Sequence, residues 1–95
     1  MLVLPKELTQ TQATACLRML VQGLRALSDQ DVVVDATGLS RFDSAALAVL
    51  LELRRETLAQ GKRFSVRGLQ ARLADLASLY GIVELLPAAL PALVK

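Results

Sequence analysis

The residues able to do chemistry in this chain are few, and most gather between Asp35 and Ser44. Gly38-Leu39-Ser40-Arg41-Phe42-Asp43-Ser44 is a polar turn that runs straight into Ala45-Ala46-Leu47-Ala48-Val49-Leu50-Leu51. A serine at a helix start beside an acid could be a nucleophile, a phosphate acceptor, a partner contact or a cap. A nucleophilic serine needs a base to take its proton. The chain has no His, and Asp35 and Asp43 as ordinary carboxylates are poor activators, so no catalytic residue is assigned. Asp and Ser are both good N-caps, and one of Asp43 or Ser44 is expected to fill that role, worth about 1 kcal/mol. A phosphate on Ser44 would suit the positive end of the helix dipole. Asp43 beside it opposes that charge and makes Ser44 a poor phosphorylation target.

Other chemistries fall away by absence. One Cys and no His exclude a Ser–His–Asp triad and the familiar zinc sites. Cys16 lies on an apolar helical stripe and is expected to be a buried thiol. Neither GxGxxG nor GxxxxGK[ST] occurs, so no nucleotide site and no cofactor are expected. Net charge is only +2 and three aromatics are available for stacking, which gives nucleic-acid binding no support. No apolar run approaches the ~20 residues of a membrane span, and Met1–Leu8 is too short for a signal peptide. These features point to a cytoplasmic location.

The elements that must position Asp43 and Ser44 follow from periodicity. Ninety-five residues, 54% hydrophobic and 21% charged, suggest one ordered domain over residues 1–95. Leu2-Val3-Leu4 reads as a short strand ended by Pro5. Thr9 and Gln12 have the form of a capping box, followed by an amphipathic helix with Ala13, Leu17, Leu20, Leu24 and Leu27 on one stripe. Val32-Val33-Val34 reads as a strand buried on both faces of a sheet. After the loop from Asp35 to Ser44, a helix from Ala45 to Gln60 stops at Gly61. Phe64 to Arg67 alternates as a half-buried strand. A third helix then carries Leu69, Leu73, Leu76 and Tyr80 on one stripe and ends at Gly81. Strands alternating with helices imply crossovers and a mostly parallel sheet, an α/β fold. Residues 82–95 read as an apolar tail interrupted by Pro87 and Pro91, expected to pack over its own sheet edge, the alternative being a docking segment left exposed as an apolar patch.

The helix that begins beside Ser44 has a divided outer surface. Ala46, Leu47, Leu50, Leu51, Leu53 and Leu58 form the expected core face at 3.6 residues per turn. Ala45, Ala48 and Val49 fall on the other side in the first turns, where no charge interrupts them. Helix-favouring alanines could simply fill a surface position. The alternative is a docking surface of Ser44, Ala45, Ala48 and Val49, with Arg41, Glu52 and Arg55 as a polar rim, since interfaces have an apolar centre and a charged edge.

Val32-Val33-Val34-Asp35-Ala36-Thr37-Gly38-Leu39 and Arg41-Phe42-Asp43-Ser44-Ala45-Ala46-Leu47 resemble the core of STAS domains, the sulfate-transporter and anti-sigma-antagonist family. There a hydrophobic strand ends in D-[LAF]-[ST]-x-[LV] and the next helix opens with D-[ST]-[SAGT]-[GA]-L. The likeness continues through Gly61-Lys62 and Phe64–Arg67 to Leu79-Tyr80-Gly81, about two-thirds of the chain. It implies a single domain with a small, mostly parallel sheet and three main helices. Family members usually open with a β-hairpin, whereas this chain starts at Leu2–Leu4. The sheet is therefore expected to be a strand short, with an edge to be covered or paired in a homodimer.

Two branches of the family are similar. Anti-sigma-factor antagonists carry D-S-[ST]-G and are phosphorylated on the second hydroxyl residue; Ala45 stands there in this chain. That branch implies a regulator binding a kinase or sensor. The other branch, with D-[ST]-[AG]-[GA]-L-A-L-L-L, is the small STAS subunit of a phospholipid-trafficking ABC transporter that maintains outer-membrane lipid asymmetry. Asp43 to Leu51, Leu79-Tyr80 and Leu86-Pro87 are similar to it. This likeness implies a non-enzymatic accessory subunit bound to the transporter's cytoplasmic ATPase and through it to the permease, peripheral to the inner membrane. A small nucleotide-binding module, suggested for some STAS proteins, has no motif here to support it.

Overall fold

A computed structural model describes residues 1–89. Five short strands, three helices and a 3-10 turn follow in the order β1 (Leu2–Val3), β2 (Glu7–Leu8), α1 (Gln10–Ala26), β3 (Asp31–Asp35), β4 (Arg41–Phe42), α2 (Ser44–Ala59), β5 (Arg63–Arg67), α3 (Ala71–Leu79) and the turn Val83–Leu85. The main sheet has the order β1-β3-β5 with both pairings parallel, and β2 and β4 form a second, two-stranded parallel ladder. The α/β class expected from the alternation is the class observed. The β2–β4 ladder was not expected: it pairs Glu7 with Arg41 and Leu8 with Phe42, inside segments read as irregular.

Strand order explains where the core lies. The chain steps from β1 to β3 to β5 in one direction across the sheet, so right-handed crossovers put α1 and α2 on the same side. Leu2, Val32, Val34, Phe64 and Val66 join Cys16, Leu20 and Leu24 of α1, Leu50 and Leu53 of α2, and Leu73 and Ala77 of α3 in one buried cluster. Among the described residues no helix covers the opposite sheet face. Val33 is therefore only partly buried between Val32 and Val34, 1% and 0% exposed, and Val3 is 61% exposed. The expectation of a strand buried on both faces is corrected by this one-sided layering. Asp31 and Arg63, paired across the strands, hold one end of the open face.

The helices start and stop as their caps dictate, with some changes of register. Gln12 Oε1 accepts the Thr9 backbone N–H at 2.9 Å and the Thr9 hydroxyl at 2.6 Å, the reach-back half of a capping box. Cys16 is buried, which pushes its thiol pKa up. The third helix starts at Ala71, and its buried residues are Leu73 and Ala77. Tyr80, expected on that stripe, lies beyond the helix and is 57% exposed.

At the carboxyl ends of the strands the loops are locked to one another. Asp35 Oδ1 accepts the Thr37 N–H at 2.9 Å and the Thr37 hydroxyl at 2.6 Å, and these bonds hold its carboxyl below the usual aspartate range. Gly68 has φ +70° and sits against Thr37, where an added Cβ would lie 2.1 Å from the Thr37 methyl. Gln70 then donates its side-chain amide to the Leu39 carbonyl. At the far edge, the Pro87 carbonyl accepts the Val66 N–H at 2.8 Å and the Ala89 N–H donates to the Val66 carbonyl at 2.9 Å. The start of the tail thus covers the β5 edge, as expected. Residues 90–95 lie outside the described part. Among the described residues no strand pairs with the outer edge of β1.

Gly68→Ala joins an unfavourable φ to a steric overlap, and it should destabilise the domain by about 1–3 kcal/mol. Urea unfolding measures this directly, and an unchanged midpoint would show that the loops are not locked at that contact.

Candidate partner-binding site

Asp43 is the residue around which the site is built. It is the N-cap of α2 in extended conformation, and its Oδ1 accepts the Ala45 N–H at 2.8 Å. Its Oδ2 accepts the N–H of Gln10, the first residue of α1, at 3.1 Å. One carboxylate therefore serves the starts of two helices, each of which leaves unpaired N–H groups and a partial positive charge there. Asp43 alone is the cap, and Ser44, the first helical residue, is released from that role. It stands exposed beside the junction.

From Ser44 an outward ridge runs down α2. Successive residues turn by ~100°, which places Ser44, Ala48 and Arg55 on the side opposite the core, and all three are exposed. Ala45 and Glu52 are half-buried on the flank toward α1, where Glu52 and Glu56 line a groove with Leu17, Val21 and Arg25. Val49 does not belong to the surface. It lies about 60° around the helix from Ala46 and is only 2% exposed, inside the core. Leu58, expected inside, is 45% exposed, and Leu51 is half-buried. Thr57 takes the core position instead, with its hydroxyl donated to the Leu53 carbonyl at 2.7 Å. The centre of the surface is thus Ser44, Ala45 and Ala48, continued by Leu51 and Leu58.

The charged residues expected as a rim, Arg41, Glu52 and Arg55, are paired within the chain. Arg55 bonds Glu52 and also reaches Glu56 at 3.0 Å. The arginine holds the Glu52 carboxyl below its usual range, and Glu52 in turn raises Arg55. Arg41, on β4, pairs with Glu7 at 3.2 Å. These pairs are exposed and add little stability; they fix which charges this face leaves open. A nearby charge not expected from sequence is Arg72, whose guanidinium carbon lies 5.3 Å from the centre of the Phe42 ring. No motif marks it, because its approach to Phe42 depends on where α3 starts. Among the described residues no cluster of His, Cys, Asp or Glu could hold a metal ion, and no helix is long and apolar enough to cross a membrane.

A one-sided parallel sheet, with the helix after β3 opening on the Asp43 cap, defines a STAS-type domain. In keeping with that fold, the crystal structure of a candidate anti-sigma factor antagonist from Thermotoga maritima superposes with a TM-score of 0.75 at 15% identity, covering 90% of this chain and 75% of that one. An anti-sigma-factor antagonist (STAS) domain protein from Planctomyces limnophilus gives 0.75 at 16% identity, covering 90% and 77%. No curated relative matches the sequence significantly. The family model described as the MlaB, STAS domain matches residues 2–87, and the chain belongs to that family. STAS domains are in general non-catalytic modules of protein–protein interaction.

Two substitutions separate cap from surface. Asp43→Ala removes the acceptor of two helix starts and should cost about 1–3 kcal/mol in urea unfolding, whereas Ser44→Ala should stay within about 0.5 kcal/mol. Equal losses would contradict the assignment of the cap.

The lowered carboxyls of Asp31, Asp35 and Glu52 also set a pH dependence. Below their unfolded values, near pH 4, the unfolded chain binds more protons than the native one, so stability present above that pH is lost as pH falls through the lowered values. Thermal midpoints measured from pH 6 to pH 2 should decline, with a shallower decline in Asp35→Asn; a flat profile would contradict the assigned bonds.

Proposed function

We propose that this domain is the non-catalytic accessory subunit of a phospholipid-transporting ABC system that maintains outer-membrane lipid asymmetry. It docks on the cytoplasmic ATPase subunit and through it on the permease, peripheral to the inner membrane. The observation that carries this reading is the exposed, uncharged start of the α2 ridge, Ser44 and Ala48, fixed in place by the Asp43 cap. Small side chains let a partner backbone approach closely, and the Glu52–Arg55–Glu56 cluster closes the apolar end with charge. The family described as MlaB supports the choice of partner. Ser44 acts through its hydroxyl and its small size. No kinase switch is needed, since Ala45 occupies the position that carries the phosphate in anti-sigma-factor antagonists.

Ala48→Glu places a long charged side chain at the centre of the ridge without entering the core. It should abolish co-purification with the ATPase subunit while the melting temperature stays within a few degrees. Retained co-purification would place the docking surface elsewhere. Intact mass after incubation with cell extract and ATP should show no phosphate on the chain, and stoichiometric phosphate at Ser44 would contradict the reading.

A further inference from the structure

We propose that Arg72 is the charged anchor of the docking surface and receives a carboxylate from the partner; this rests on the reading of α2 as that surface. Arg72 is exposed and lies in the first turn of α3, directly after Ala71 and the N-cap Gln70. A cation there opposes the helix dipole, which favours acidic side chains at that end. No carboxylate among the described residues forms an ion pair with it. Arg41, Arg55 and Arg63 each close on a carboxylate of their own chain, while Arg72 has no ion-pair partner among the described residues. It is held instead over the Phe42 ring.

That placement is preorganised from both sides. Phe42 is pinned by the pairing of β4 with β2 and lies two residues before Ser44. The start of α3 is tied to the same loop through Gln70 and the Leu39 carbonyl. A guanidinium held over a ring face by cation–π attraction keeps N–H donors free to grip a carboxylate through two parallel bonds. Of the nearby acids, Glu7 is engaged by Arg41 and Asp43 by two backbone N–H groups, and Asp75, one turn along α3, makes no ion pair with Arg72. Arg72, Lys6 and Arg67, all exposed and without an ion-pair partner among the described residues, are left as the open cations at this end, and of these only Arg72 lies over the Phe42 ring. The complementary partner segment presents a small or apolar face to Ala48 and an Asp or Glu to Arg72.

The test compares affinities of wild type, Arg72→Glu, Arg72→Gln and Ala48→Glu for the purified ATPase subunit at about 50 mM and about 300 mM salt, where charge screening differs strongly. Wild-type binding should weaken at higher salt. Arg72→Glu should lose about tenfold or more at low salt, Arg72→Gln several-fold, and both should show a flatter salt dependence. Circular dichroism melts confirm that each variant is folded. Wild-type affinity and salt dependence in both Arg72 variants, with Ala48→Glu still defective, would overturn the anchor and leave the docking surface standing. If Ala48→Glu also binds normally, both fall.

Discussion

Two helices in this domain begin at the same carboxylate, and the geometry of the surface beside them depends on that sharing. Asp43 places one oxygen on the Ala45 N–H and the other on the Gln10 N–H. The starts of α1 and α2 each carry partial positive charge and would repel if brought together without an anion between them. With Asp43 there, the contact becomes an attraction for both, and α1 and α2 pack side by side from a common origin. The same residue closes the loop from β3, so Phe42 turns toward the protein and Ser44 toward solvent. A cap that is ordinary in each helix taken singly becomes, when shared, the element that sets where the ridge of α2 points.

The asymmetry of the sheet reinforces this. Among the described residues the helical cover lies on the face of Val32, Val34 and Val66, and the other face keeps Val3 exposed and Val33 partly so. The strands' carboxyl ends are rigid because their loops lock together, Thr37 against Gly68 and Gln70 against Leu39. Open parallel sheets present their functional surfaces beyond the carboxyl ends of the strands. Here that end holds the shared cap, the start of the ridge and the stacked Arg72.

Much of this could be read from the amino acids because it is local. Helix stripes, the glycine stops at Gly61 and Gly81, both with positive φ, and the Asp43–Ser44 cap region each depend on residues a few positions apart. The family motif adds the fold. The features that escaped depend on tertiary placement. Three consecutive valines look alike in sequence, and only the direction of the crossovers decides that Val33 faces away from the helices. Val49 sits near the boundary between two helix faces, and the packing of α1 against α2 draws it inside. Arg72 meets Phe42 across 30 residues, and Leu8 pairs with Phe42 across 34, in a ladder of two residues each. Neither separation leaves a periodic trace.

On the function proposed above, a transporter ATPase recognises the outward ridge of α2 with Arg72 beside it. Amide chemical shifts of the isotopically labelled domain, recorded before and after adding the purified ATPase subunit, test it residue by residue. The largest perturbations should fall on Ser44, Ala48, Arg55 and Arg72, with Val3, Val33 and Ser65 on the open sheet face unchanged. Perturbations concentrated on Val3, Val33 and Ser65, with the ridge silent, would contradict it.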